Sequence, residues 1–208
     1  MNEARVTADL NAIASRPWAR GLMALVLVAA LILLARLAWA DGVELTQIST
    51  QRTEEGLDLS YGTRFELPHA AEDSLLKGIA VYFTAETTVV RSRWYWRDAR
   101  VAHASRTWRV QLVPLTRQFK VTIGAFSQNF GTLTEALSSM RGAANWRIAE
   151  PKDIEDSGSY YLEFSFRLDT SQLPKPMQIG LGAPQGWGLS IERTLSLNPD
   201  FSVHTGSP

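Results

Sequence analysis

The sequence predicts a mainly β protein: an antiparallel two-sheet sandwich of the immunoglobulin-like kind with one or two short helices, preceded by an N-terminal membrane or signal helix. Three observations carry that prediction. Beyond residue 41, apolar and polar side chains alternate through one segment after another, as in strands buried on one face, which favours antiparallel pairing over the continuous apolar strands of a parallel sheet. Only two stretches there carry helical spacing. Before residue 41, a single apolar run shows no alternation.

That run comes first in the chain. GLMALVLVAALILLA, Gly21 to Ala35, follows Arg5, Arg16 and Arg20 and precedes Ala38-Trp39-Ala40-Asp41. An arginine-bearing head, an apolar run and a small-x-small tripeptide make a secretory signal. Counted from Trp18 to Trp39, the same segment has the ~20 residues that a bilayer helix needs, with tryptophans at both ends and arginines able to reach the headgroups. Cleaved signal and membrane anchor therefore both fit, although Arg36 is an unusual residue beside a cleavage site. A buried helix of a soluble protein fits least, because the run is apolar on every face. In either case the arginines hold the N-terminus inside and send the C-terminal part across the membrane. Residues 1–40 are read as signal peptide or signal anchor, and 41–208 as a single exported domain.

Composition narrows the chemistry of that domain. The chain has 21 basic and 21 acidic residues, and four of the arginines and two of the acids precede Asp41, leaving 17 against 19 beyond it. Bulk charge gives no reason to expect a polyanionic partner. The absence of cysteine excludes thiol catalysis and thiolate metal sites, and obliges the exported domain to close its core without disulfides.

The exported domain begins with strands. Val43 to Thr50, and then Leu57, Leu59, Tyr61, Thr63, Phe65 and Leu67, show period two. A weak helix runs from Pro68, a favoured first-turn residue, through Leu75 and Leu76 to Gly78. Ile79 to Val90, Trp108 to Leu112 and Phe119 to Ile123 are further strands. Thr132-Leu-Thr-Glu135 is a capping box that opens a helix carrying Leu133, Ala136, Leu137 and Met140 on one stripe, with Gly142 placed to end it. The clearest strand is Ser159 to Asp169, where Tyr160, Leu162, Phe164, Phe166 and Leu168 alternate with mainly polar residues. Asp153 to Gly158 reads as an acidic turn, Ser171 to Pro176 as an extended connector, and Gly180 to Gly188 as a hairpin or bulge.

One stretch has an unusual composition. Arg91 to Arg109 holds Arg91, Arg93, Arg97, Arg100, Arg106 and Arg109 against the single acid Asp98, with Trp94, Tyr95, Trp96 and Trp108 interleaved. Read as a recognition surface, guanidinium forks pair with phosphate or carboxylate while aromatic faces supply stacking area. Read as a feature of the fold, arginines on a sheet face cover tryptophans too large to bury completely. The residues assigned to ligand or partner binding are Arg93, Trp94, Trp96, Arg97, Arg100, Arg106 and Arg117. Nucleic acid is discounted as the ligand, given the export signal and the slightly acidic domain.

Catalysis has little support. His69, His103 and His204 are scattered, with no HExxH pattern and no Gly-x-Ser-x-Gly elbow. Asp153, Glu155 and Asp156 lack the spacing of a calcium loop. The expectation is a protein that is not an enzyme and holds no cofactor and no metal.

RSRWYWRDARVAHASRTWRVQLVPLTRQFKV (Arg91 to Val121), FGTLTEAL (Phe130 to Leu137), Trp146-Arg-Ile148 and LDTSQLPKPMQI (Leu168 to Ile179) together resemble the DUF4390 family of proteobacterial envelope proteins. The chain departs from that pattern in its long head before the apolar run and in the glycine-rich Gly180 to Gly188. The resemblance implies a leader and a single domain of unassigned activity, often encoded beside a nitrogen-regulation-type sensor kinase pair. Taken with the leader, it implies a domain facing the periplasm, anchored in the inner membrane or secreted. The favoured expectation is a non-enzymatic envelope module that binds an anionic envelope ligand or a partner protein. The alternative is a structural or assembly factor acting through strand addition at a sheet edge.

Overall fold

The computed structural model describes residues 42–95, 97–155, 157–173 and 187–204. The apolar run and most of Gly180 to Gly188 lie outside them. Among the described residues no helix is long and apolar enough to cross a membrane.

The described chain is mainly β, with two antiparallel sheets and two short α-helices. Strands β1 (Glu44–Thr53) and β2 (Gly56–Arg64) form a hairpin, and β7 (Gly142–Ala149) pairs with β2 to complete a three-stranded sheet in the order β1-β2-β7. The larger sheet contains β3 (Val81–Ser92), β4 (Ala99–Val113), β5 (Gln118–Ile123), β6 (Phe126–Phe130), β8 (Ser159–Leu168) and β9 (Ser190–Ser196). Its order is β6-β5-β4-β3-β8-β9, so a four-stranded meander gains β8 and β9 on its far side. The division into three and six strands differs from the four-and-three division of a constant-type immunoglobulin domain.

Period two in the sequence translates directly into faces. Leu57, Leu59, Tyr61 and Thr63 on β2 and Phe65 just beyond it are buried, and on β8 so are Tyr160, Leu162, Phe164, Phe166 and Leu168. These rows meet between the sheets: Phe65 lies 5.4 Å from Phe83 and 5.3 Å from Phe166, and Tyr61 lies 4.8 Å from Phe164, between ring centroids. No disulfide is needed to close such a core, because Phe83 and Phe166 are fully buried and each large apolar side chain removed from water contributes roughly 1.5–3 kcal/mol.

Helix α1 (His69–Leu76) carries the chain from the small sheet to the large one. Pro68 stands at its N-cap rather than inside its first turn, and its carbonyl accepts from Ala71 and Glu72 N–H groups. Helix α2 (Leu133–Ser138) carries the chain back. Its capping box forms as the sequence predicts, with Glu135 N–H donating to the Thr132 hydroxyl and Thr132 N–H to the Glu135 carboxylate, both at 3.2 Å. The helix stops earlier than predicted: Ser139 caps it, and Gly142 opens β7. A side chain at Gly142 would press on the Tyr61 carbonyl 2.7 Å away, so the close approach of β2 accounts for that glycine.

Candidate functional site

The tip of the β3–β4 hairpin collects the aromatic and basic residues. Arg91 still pairs with Ala99 across the hairpin, and beyond that pair the chain turns through Arg93 to Asp98. Asp98, the one acid of the block, braces the turn: its carboxylate accepts from the Arg93 backbone N–H at 3.1 Å and from the Tyr161 hydroxyl at 3.0 Å. Desolvation and the Asp98 carboxylate hold the Tyr161 pKa above its ordinary value, while Arg100 pulls the other way. Arg91 is also committed to the fold, bonded to Glu155 at 2.8 Å and to the Ser157 carbonyl at 3.1 Å.

The other side chains at the tip face solvent. Trp94 is 94% exposed and Tyr95 70%, touching each other edge to face with centroids 5.2 Å apart. A tryptophan left this bare forgoes roughly 4 kcal/mol of transfer free energy. Arg93, Arg97 and Arg100 are exposed around them, and among the described residues none has an acid within ion-pair distance. Arg100 stands on the outer face of the large sheet, opposite Val90. The arginines therefore do not cover Trp94. Trp96 lies outside the described residues.

Two of the assigned arginines are elsewhere. Arg117 sits in the β4–β5 turn with φ 54°, at the other end of β4, roughly 46 Å from the tip by the rise of a fifteen-residue strand. Arg106 points inward from the middle of β4, its guanidinium 4.9 Å from the centroid of the Trp146 ring. Burial lowers the Arg106 pKa, and nearby Tyr61 partly opposes that. The Tyr61 hydroxyl is itself buried with no hydrogen-bond partner among the described residues, and desolvation raises its pKa. Sequence spacing gave no sign of this Tyr61–Arg106–Trp146 group, because its three members come from three strands of two sheets.

Two depressions complete the surface. A trough of about 400 Å³ lies beside β6, walled by Trp108, Val121, Ile123, Phe126 and Phe130, with Phe126 79% exposed. A polar one of about 380 Å³ opens on the outer face of the large sheet among Glu86, His103, Glu163, Glu192 and Arg193. The histidines stay apart: His69 begins α1, His103 meets Thr88 on β3, and His204 meets Asn198.

No curated protein and no solved structure matches the chain. One family model does, that of a domain of unknown function, DUF4390, over residues 40–196, a span that takes in both sheets and the hairpin tip. On that match the chain belongs to the DUF4390 family.

Proposed function

We propose that the domain is a non-enzymatic binding module of the cell envelope, carried to the periplasmic side of the inner membrane by its leader and engaging an anionic ligand or the acidic face of a partner protein. The observation that carries this reading is the hairpin tip, where Trp94 and Tyr95 stand bare among three arginines that have no acid partner among the described residues. Aromatic area and guanidinium groups concentrated in this way are the usual anchors of a recognition surface. The sensor kinase pair implied by the family resemblance is a partner of the right compartment.

The test is capture from envelope extract by the full-length protein in detergent. Wild type is expected to retain partners at low salt and release them as ionic strength rises, because exposed charge pairing is screened. Reversal of Arg93, Arg97 and Arg100 to Glu is expected to abolish capture with the melting temperature unchanged. The same retained set on the reversed variant would overturn the proposal.

A second reading, strand addition at a sheet edge, is favoured by one specific observation: among the described residues, Ala99 to Thr107 of β4 pair with no strand on the side where β5 ends.

A further inference from the structure

β4 has fifteen residues, but β5 pairs only with Trp108 to Val113. Toward the tip, Ala99 to Thr107 pair with β3 on one side and, among the described residues, with no strand on the other. Such an edge directs the N–H and C=O groups of alternate residues outward, a template for another strand.

The side chains along this edge define what it can accept. Ala102, Ala104 and Arg106 lie opposite Val89, Thr87 and Ala85 and so face inward. The two alanines keep that side shallow, and Arg106 places a half-buried cation in it. The other partly buried arginines each have an oxygen acceptor: Arg91 holds Glu155, Arg147 holds Asp58 and Glu55, Arg167 holds Glu86, and Arg141, over the Phe65 ring, donates to the Phe65 carbonyl. Arg106 has the Trp146 face and, nearby, the unbonded hydroxyl of Tyr61, but no acid within ion-pair distance among the described residues. An inward charge on an edge strand repels an apolar strand.

We infer that the free edge of β4 binds an extended acidic segment of another protein by strand addition, with one carboxylate turned inward to the half-buried Arg106 guanidinium. The inference rests on the reading of the domain as a binding module and names the chemistry of its partner. Backbone bonds to Ala99–Thr107 supply affinity, and the bidentate fork of Arg106 supplies the choice of residue at one position. Arg93, Arg97 and Arg100 at the tip end of the same strand add a positive field that draws such a segment in.

The experiment selects binders for the full-length protein in detergent micelles from a library of random nonapeptides. Enriched peptides are expected to carry Asp or Glu at one fixed position within an alternating pattern. Their addition is expected to slow amide exchange across Ala99–Thr107. Arg106→Glu should move the preference at that position to Lys or Arg and weaken the acidic peptide at least tenfold. Arg106→Gln, which adds no new charge, should abolish the preference with native melting behaviour. Reversal of Arg93, Arg97 and Arg100 should weaken binding while leaving the acidic position where it was. Acidic peptides that protect no β4 amide and are lost only on reversal at the tip would support the tip and overturn the β4 edge. An unchanged preference in both Arg106 variants, or a dimer joined through β4, would also overturn it.

Discussion

Trp94, in the turn of the β3–β4 hairpin, and Trp108, in its second strand, should respond in opposite ways to replacement with alanine. Trp108 is 4% exposed on the inner face of β4, its ring tilted against Phe166 at 6.3 Å. Removal of a buried tryptophan costs about 3–5 kcal/mol. Trp108 also walls the trough beside β6, so water and neighbouring side chains can relax into part of the vacated space. The lower end, about 3 kcal/mol, is therefore expected. Trp94 is 94% exposed and, among the described aromatic rings, touches only Tyr95, so its loss should stay within about 0.5 kcal/mol. At about 2–4 °C per kcal/mol for a domain of this size, Trp108→Ala should lower the melting temperature by about 6–12 °C and Trp94→Ala by less than about 2 °C. Urea unfolding of the same proteins should give a lower midpoint for Trp108→Ala with an unchanged slope. Comparable losses from both substitutions would refute the reasoning, because the tip would then be part of the folded core rather than surface kept bare for recognition.

Two further outcomes concern the scaffold. The Arg167 guanidinium donates to both oxygens of Glu86 at 2.8 and 2.9 Å, and these bonds hold the Glu86 pKa below its ordinary value. A carboxyl lowered by folding stabilises the fold above its unfolded pKa and ceases to do so as pH falls through the folded one. Glu86→Gln should cost no more than about 1 kcal/mol at neutral pH and should flatten the decline of melting temperature below about pH 4.3; an unchanged acid limb would sink this. Gly56 has φ 130°, and a Cβ there would collide with the Ala149 carbonyl oxygen. Gly56→Ala should cost more than about 2 kcal/mol, whereas Gly124→Ala, at φ 54° in open space, should cost about 1 kcal/mol; equal urea midpoints would argue against a β2–β7 approach this close.

The sandwich was legible wherever the alternation had large apolar residues on its inner side. Trp108 to Leu112 lies wholly in β4, the run from Leu57 to Leu67 is strand as far as Arg64 and that from Ser159 to Asp169 as far as Leu168, and the inner residues Trp108 and Val110 are buried while Arg109 is exposed. β9 was missed, and for the other segments missed burial or register gives the reason. β6 is FSQNF, an edge strand exposed over its first four residues, Phe126 included, with only Phe130 packed against the core. β7 is GAANWRIA, where register shifts against β2 and the positive φ of Asn145 break period two. The lower half of β4, with Ala102 and Ala104 on its inner side, buries too little there to mark a face.

The basic block was legible as a composition and not as a surface, and one bulge explains much of the difference. Counting back by twos from Trp108 passes through Arg106, Ala104 and Ala102 and assigns Arg100 to the core side. The structure breaks that count at Val101: Ala102 faces Val89, but Arg100 faces Val90, so one extra residue turns Arg100 to the outer face near Tyr161. Arg106, with no bulge between it and Trp108, stays inward. Six arginines alike in sequence are thereby sorted by their partners. Arg91 is held by Glu155, and Arg109 donates to Gln111. Arg93, Arg97 and Arg100 are left to solvent, and Arg106 is left half-buried against an indole. A half-buried guanidinium without a carboxylate costs stability that an apolar residue of similar size would not. Arg141 likewise lacks a carboxylate among the described residues but donates to the Phe65 carbonyl, whereas Arg106 has only the indole face of Trp146, and an acid from the proposed partner would supply the acceptor it lacks.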